Sequence, residues 1–165
     1  MELSLSQDRR AAPDFLFVLS TLFALLVFSC GVIAQENVRN EFLSIAKPAV
    51  VLYDAPSLNA GKLYVASVNL PLEVVVKVVG WVKVRDYHGY LAWAEDKNLS
   101  PKRFVIVKVP AGSVYESPDP ASSLIFQAQQ DVLLELLGVV AGGWVKVKHQ
   151  NSQTGYIRTD QIWGV

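Results

Sequence analysis

The chain has 165 residues, with 15 Lys and Arg balanced by 15 Asp and Glu, so its formal net charge is zero. A neutral chain without a dense basic stretch offers no field for nucleic acid, which excludes that partner class. Its hydrophobic fraction of 52% is enough to bury a core and excludes wholesale disorder.

The first segment reads as an address. Residues 1–14 are polar and include Arg9 and Arg10, and residues 15–35 then run uncharged. Basic region, apolar stretch, small residues and polar chain follow each other as in a secretory signal. Val32-Ile33-Ala34 suits cleavage after Ala34, so residues 1–34 are expected to export the remainder to the periplasm. Two variants compete. The apolar run approaches the roughly 20 residues that span a bilayer, so it can stay as an inner-membrane anchor. Val27-Phe28-Ser29-Cys30-Gly31 loosely matches a lipoprotein box, with Cys30 taking the lipid. Phe28 is large for that box, and the preferred reading of Cys30 is an ordinary small residue of the apolar run. In every variant the membrane is touched only through this segment.

The remaining chain repeats itself at an offset of 62 residues. Phe42 matches Phe104, Pro48 matches Pro110, Tyr53 matches Tyr115, Pro56 matches Pro118 and Glu73 matches Glu135. One added glycine then shifts Gly80-Trp81-Val82-Lys83-Val84 onto Gly143-Trp144-Val145-Lys146-Val147. A further three-residue insertion is read before Gly89-Tyr90 meets Gly155-Tyr156. Two copies are too few for a solenoid, so each is expected to fold as its own unit, over residues 40–101 and 102–165.

Within each copy the pattern is β. Residues 72–79 are rich in β-branched side chains, and residues 81–85 alternate apolar with charged, as do 144–148. Gly80 and Gly142-Gly143 stand between apolar runs, where a tight hairpin needs positive φ. Residues 86–89 and 149–155 are the next turns, and Pro56 and Pro118 mark a long loop after the first strand. Short strands with frequent turn signals predict an all-β chain of two small barrels.

Gly80-Trp81-Val82-Lys83-Val84 with Gly89-Tyr90, and Gly143-Trp144-Val145-Lys146-Val147 with Gly155-Tyr156, resemble the paired strands of the bacterial Src homology 3 domain. Leu52-Tyr53-Asp54-Ala55-Pro56 and Val114-Tyr115-Glu116-Ser117-Pro118 resemble that family's first strand and Pro-containing loop, without its usual Arg-x-x-Pro form. The resemblance covers about residues 47–163. It implies two tandem Src homology 3-like barrels and a non-catalytic role at the cell envelope, recognising peptidoglycan peptides or a cell-wall protein partner. An assembly protein acting only through protein contacts is the alternative, and a hydrolase accessory is the third.

Contact is expected from aromatics: Tyr53, Trp81, Tyr90 and Trp93 in the first copy, Tyr115, Trp144, Tyr156 and Trp163 in the second. Flat rings give extended peptides a large contact area at low entropy cost. Core packing competes with that role, and for Trp81 and Trp144 it is favoured. Trp163 can equally dock the tail onto the second barrel. Catalysis has little to build on. Cys30 is the one cysteine, and His88 and His149 have no metal-ligand spacing, so no metal or cofactor is expected. His88 with Asp86 is the one possible acid–base pair, with no nucleophile beside it. Lys102-Arg103 reads as a solvated linker.

Overall fold

The computed structural model describes residues 40–165; the signal, anchor and lipidation readings of residues 1–34 lie outside the described residues. The first copy contributes β1 (Phe42–Ile45), β2 (Ala49–Tyr53), β3 (Lys62–Ser67), β4 (Pro71–Val78), β5 (Trp81–Arg85), β6 (Leu91–Glu95) and β7 (Leu99–Ser100). The second contributes β8 (Phe104–Val107), β9 (Ala111–Tyr115), β10 (Leu124–Gln129), β11 (Leu133–Val140), β12 (Trp144–Lys148), β13 (Thr154–Arg158) and β14 (Ile162–Trp163). Each set forms one seven-stranded antiparallel sheet, ordered β3-β2-β6-β5-β4-β1-β7 and β10-β9-β13-β12-β11-β8-β14. The described residues are all-β, in two Src homology 3-like barrels of one topology.

The alternation read from the sequence decides what each strand buries. In β5, Val82 and Val84 are 1% and 0% exposed, and Lys83 and Arg85 lie on the opposite face. The first core gathers Ile45, Val50, Leu52, Leu72, Val82 and Val84; the second gathers Val105, Val107, Val114, Leu134, Val145 and Val147. Each fully buried side chain of this size stabilises its barrel by about 1.5–3 kcal/mol. The long strands bend at matched points, with bulges between Val74 and Val76 and between Leu136 and Gly138. A bulge sharpens local twist, which lets a short sheet curl over so small a core.

The glycine insertion lies in the hairpin after β11, which is one residue longer than the hairpin after β4. Gly80 has φ +76°, and Gly142 and Gly143 have φ +78° and +77°, so these turns need the left-handed region. The three-residue insertion does not exist. Residues 86–90 and 149–153 are turns of equal length, and the pairs Lys83↔Trp93 and Lys146↔Tyr156 fix the register. The counterpart of Tyr156 is therefore Trp93, not Tyr90, and the counterpart of Gly155 is Ala92. Gly89 and Gly155 share a dipeptide for different reasons. Gly89 sits in a turn at φ +91°. Gly155 lies inside β13, where a Cβ would come within 2.6 Å of Val114 Cγ1 and 2.7 Å of the Tyr115 carbonyl oxygen.

Lys102 is exposed, as a solvated linker would be, but Arg103 is not. The Arg103 guanidinium lies 5.3 Å from the Phe42 ring centre, and its Nη2 donates to the Gly164 carbonyl at 2.9 Å. Burial lowers its pKa from the ordinary arginine range. Lys102 pairs with Glu135 at 3.1 Å. Trp163, on β14, meets Phe42 of the first barrel edge-on, ring centres 5.0 Å apart, besides pairing with Ile106 of its own sheet. Tyr87 donates its hydroxyl to Asp131 across the same junction at 2.6 Å. Gly164, at φ +107°, runs so close that a Cβ would meet the Phe104 carbonyl at 2.9 Å and Pro71 at 3.2 Å. Both barrels belong to one compact unit, Arg39–Val165.

Candidate functional site

Six of the eight predicted aromatics gather into two matching patches. In the first barrel, Tyr53 and Trp93 are register partners between β2 and β6, and Trp81 meets Tyr53 edge-on at 5.5 Å. In the second, Tyr115 and Tyr156 are register partners, and Trp144 meets Tyr115 edge-on at 5.8 Å. Edge-to-face contact puts the positive rim of one ring on the negative face of the other. The alternation puts these rings on the outer face of each sheet, opposite the valines of the core. None of the six belongs to the central clusters. Tyr53 and Trp144 are nonetheless buried, at 8% and 4%, because the patches cover their own members. Trp81, Trp93, Tyr115 and Tyr156 are half-buried.

Cations border both patches. Lys83 lies 5.9 Å from the Trp93 ring and Lys146 lies 5.8 Å from the Tyr156 ring, one matching position each. At the end of the neighbouring strand the first barrel has Glu95, held by Lys97 at 2.6 Å. The second has Arg158 there, 5.7 Å from the Trp144 ring. Arg158 is in turn paired with Asp160 at 3.3 Å, so both patches carry the same balance of charge.

Tyr90 and Trp163 stand apart. Tyr90 is 68% exposed at the tip between β5 and β6, and Trp163 lies at the junction between barrels. Asp86 and His88 do not form an acid–base pair. Asp86 Oδ1 accepts the backbone N–H groups of His88 and Tyr90 at 3.0 and 2.9 Å, and Oδ2 accepts the Tyr64 hydroxyl at 3.0 Å. The His88 imidazole instead lies against the Tyr87 ring, centres 3.8 Å apart. Burial first, and then the Asp86 carboxylate, push the Tyr64 phenol well above the usual tyrosine range. In the second barrel Phe126 and His149 take the places of Tyr64 and Asp86, and their rings lie 5.5 Å apart. Among the described residues no group of three or more His, Cys, Asp or Glu side chains could hold a metal ion.

Sequence reasoning missed a groove of about 620 Å³ beside β3, lined by Leu63, Tyr64, Val65, Tyr90 and Leu91 among others. Its signal was present as apolar residues at both parities of a short strand. Alternation cannot interpret such a run, because it does not mark an edge.

The bacterial SH3 domain model matches this chain twice, over residues 46–101 and 108–164. The chain belongs to that family of binding domains. No curated protein matches it. Among solved structures it is similar to NlpC2 from Trichomonas vaginalis, at 18% identity over 76% of this chain and 48% of that one, with a TM-score of 0.36. NlpC1 from the same organism matches at 15% identity over 76% and 46%, TM-score 0.35. An NlpC/P60 family protein from Bacillus cereus matches at 18% identity over 74% and 55%, TM-score 0.34. The chain spans about half the length of these proteins. At such scores the likeness says nothing of shared function.

Proposed function

We propose that this chain is a non-catalytic binding protein of the cell envelope, which recognises peptidoglycan peptides or a cell-wall protein partner through its two aromatic patches. Residues 1–34 export it, and it works in the periplasm, free or held at the inner membrane by that segment. The observation that carries the reading is the duplication of the patch: Tyr53, Trp81 and Trp93 in one barrel, Tyr115, Trp144 and Tyr156 in the other. All six lie outside the central clusters, and Trp81, Trp93, Tyr115 and Tyr156 stay partly exposed, where a ligand can reach them.

Two patches on one unit favour a ligand that repeats. Once the first patch is engaged, the second meets its ligand at a raised effective concentration, and avidity exceeds either affinity. A crosslinked wall polymer repeats in this way, and so does a multimeric wall protein.

Three of the four tryptophans, Trp81, Trp93 and Trp144, belong to the patches, so their fluorescence reports occupancy. Titrating the full chain with soluble wall peptides should shift the emission. Trp163→Phe should leave that shift in place, and Trp81→Phe, Trp93→Phe and Trp144→Phe together should remove most of it. A flat titration with wall peptides, together with no envelope protein crosslinked at the patches, would sink the proposal.

A further inference from the structure

β3 is the end strand of the first sheet and pairs only with β2. The groove beside it is lined by consecutive residues Leu63, Tyr64 and Val65, which a strand sends to alternate faces. It therefore follows the open main-chain edge of β3 and not one of its faces. Its far wall is the tip of the β5–β6 hairpin, with Tyr90 and Leu91.

The second barrel serves as an internal control. Leu63, Val65, Tyr90 and Leu91 are 49%, 62%, 68% and 45% exposed. Their counterparts in the same topology are Ile125, Gln127, Gln153 and Thr154. Three of these four positions are polar there, so the fold does not demand apolar side chains along this edge. Water-facing apolar residues on an open edge are normally avoided, because they invite another strand.

The groove also has a charged neighbour. Leu70 lines the groove, and Asn69, next to it in the chain, lines a pocket of about 180 Å³ at the junction of the barrels. Lys102 and Lys148 line that pocket with one carboxylate, Glu135, which is the register partner of Lys148. Glu135 is held by Lys102, and Lys148 makes no ion pair among the described residues. The pocket is thus complementary to a negative group.

We infer that a partner polypeptide adds an extended apolar segment to the edge of β3, its alternate side chains filling the groove and an acidic group of the same segment reaching Lys148. Main-chain hydrogen bonds supply the affinity in such strand addition, and side-chain pockets supply the selectivity. The groove shares no residue with the aromatic patches, so this site goes beyond the envelope-ligand reading and can fail independently of it.

The probe is a short synthetic peptide of alternating valine and threonine, ending in glutamate, tested against the full chain by hydrogen exchange. At saturation it should slow exchange in residues 63–67 by about tenfold, since added-strand hydrogen bonds protect edge amides. A copy N-methylated along its pairing edge should protect nothing. Val65→Gln with Leu91→Thr, which install the residues of the second barrel, should weaken binding about tenfold or more. Lys148→Ala should cost about threefold or more, and only for peptides bearing the acidic end. The same variants should leave the tryptophan shift with wall peptides unchanged. Unaltered exchange in β3 at millimolar peptide overturns the inference. So does a self-associated chain that Val65→Gln converts to monomer, because the occupant would then be a second copy.

Discussion

Asp86 shows how one buried side chain organises a turn. It is 8% exposed, and three donors satisfy its carboxylate, two of them main-chain N–H groups of its own hairpin. Asp86→Ala leaves those donors orphaned, so it should destabilise the first barrel by about 3 kcal/mol, read as a shift in its urea midpoint. Tyr64→Phe removes one bond and should cost about 1 kcal/mol. The phenol is raised above its unfolded value in the fold, so its contribution is fully present below about pH 10 and is lost as pH climbs through the folded value. The stability difference between the wild type and Tyr64→Phe should therefore be constant from pH 6 to about 9 and shrink above about 10. Tyr87 behaves alike at the junction, where its hydrogen bond to Asp131 is the main cause of a pKa pushed up to about 12. Asp131→Asn should return it toward the ordinary value near 10, as followed by phenolate absorbance.

At the scale of the element, the hairpins carry the difference between the copies. Nothing lies within 4 Å of a Cβ built on Gly80, so replacing it tests backbone strain alone. Gly80→Ala should cost the first barrel about 1–2 kcal/mol, measured by thermal unfolding. The repeat, the hairpin glycines and strands β5 and β12 were legible because they rest on local rules: alternation and positive φ. The correspondence of β6 in the first copy with β13 in the second was not legible in the same way. Gly89-Tyr90 and Gly155-Tyr156 look alike on the page, but only the register of neighbouring strands distinguishes a turn glycine from one crowded by Val114 and Tyr115. Ala92 was hidden for the same reason, since it does not look like Gly155. The grouping of aromatics was legible in part, because Tyr53 and Trp81 repeat in order as Tyr115 and Trp144. Tyr90 was drawn in by the false register. Trp163 packs on Phe42 of the other barrel, a contact that no local pattern in the sequence marks.

For the whole molecule, the junction decides whether two barrels act as one body. Phe42, Arg103, Trp163 and the Tyr87–Asp131 bond form a small, mixed contact whose aromatic pair alone contributes about 0.5–1.5 kcal/mol. Calorimetry of the wild type should give one cooperative transition, and Trp163→Ala with Arg103→Ala should split it in two. Both copies hold three rings at matching positions, while their groove residues differ. The most direct measurement of this account is co-sedimentation of the full chain with purified sacculi. It predicts retention well above that of a non-binding control, a partial loss in Trp81→Ala or Trp144→Ala, and a loss greater than the product of the two in the double variant. Retention equal to the control, or retention indifferent to both substitutions in folded variants, would contradict recognition of the wall through the aromatic patches.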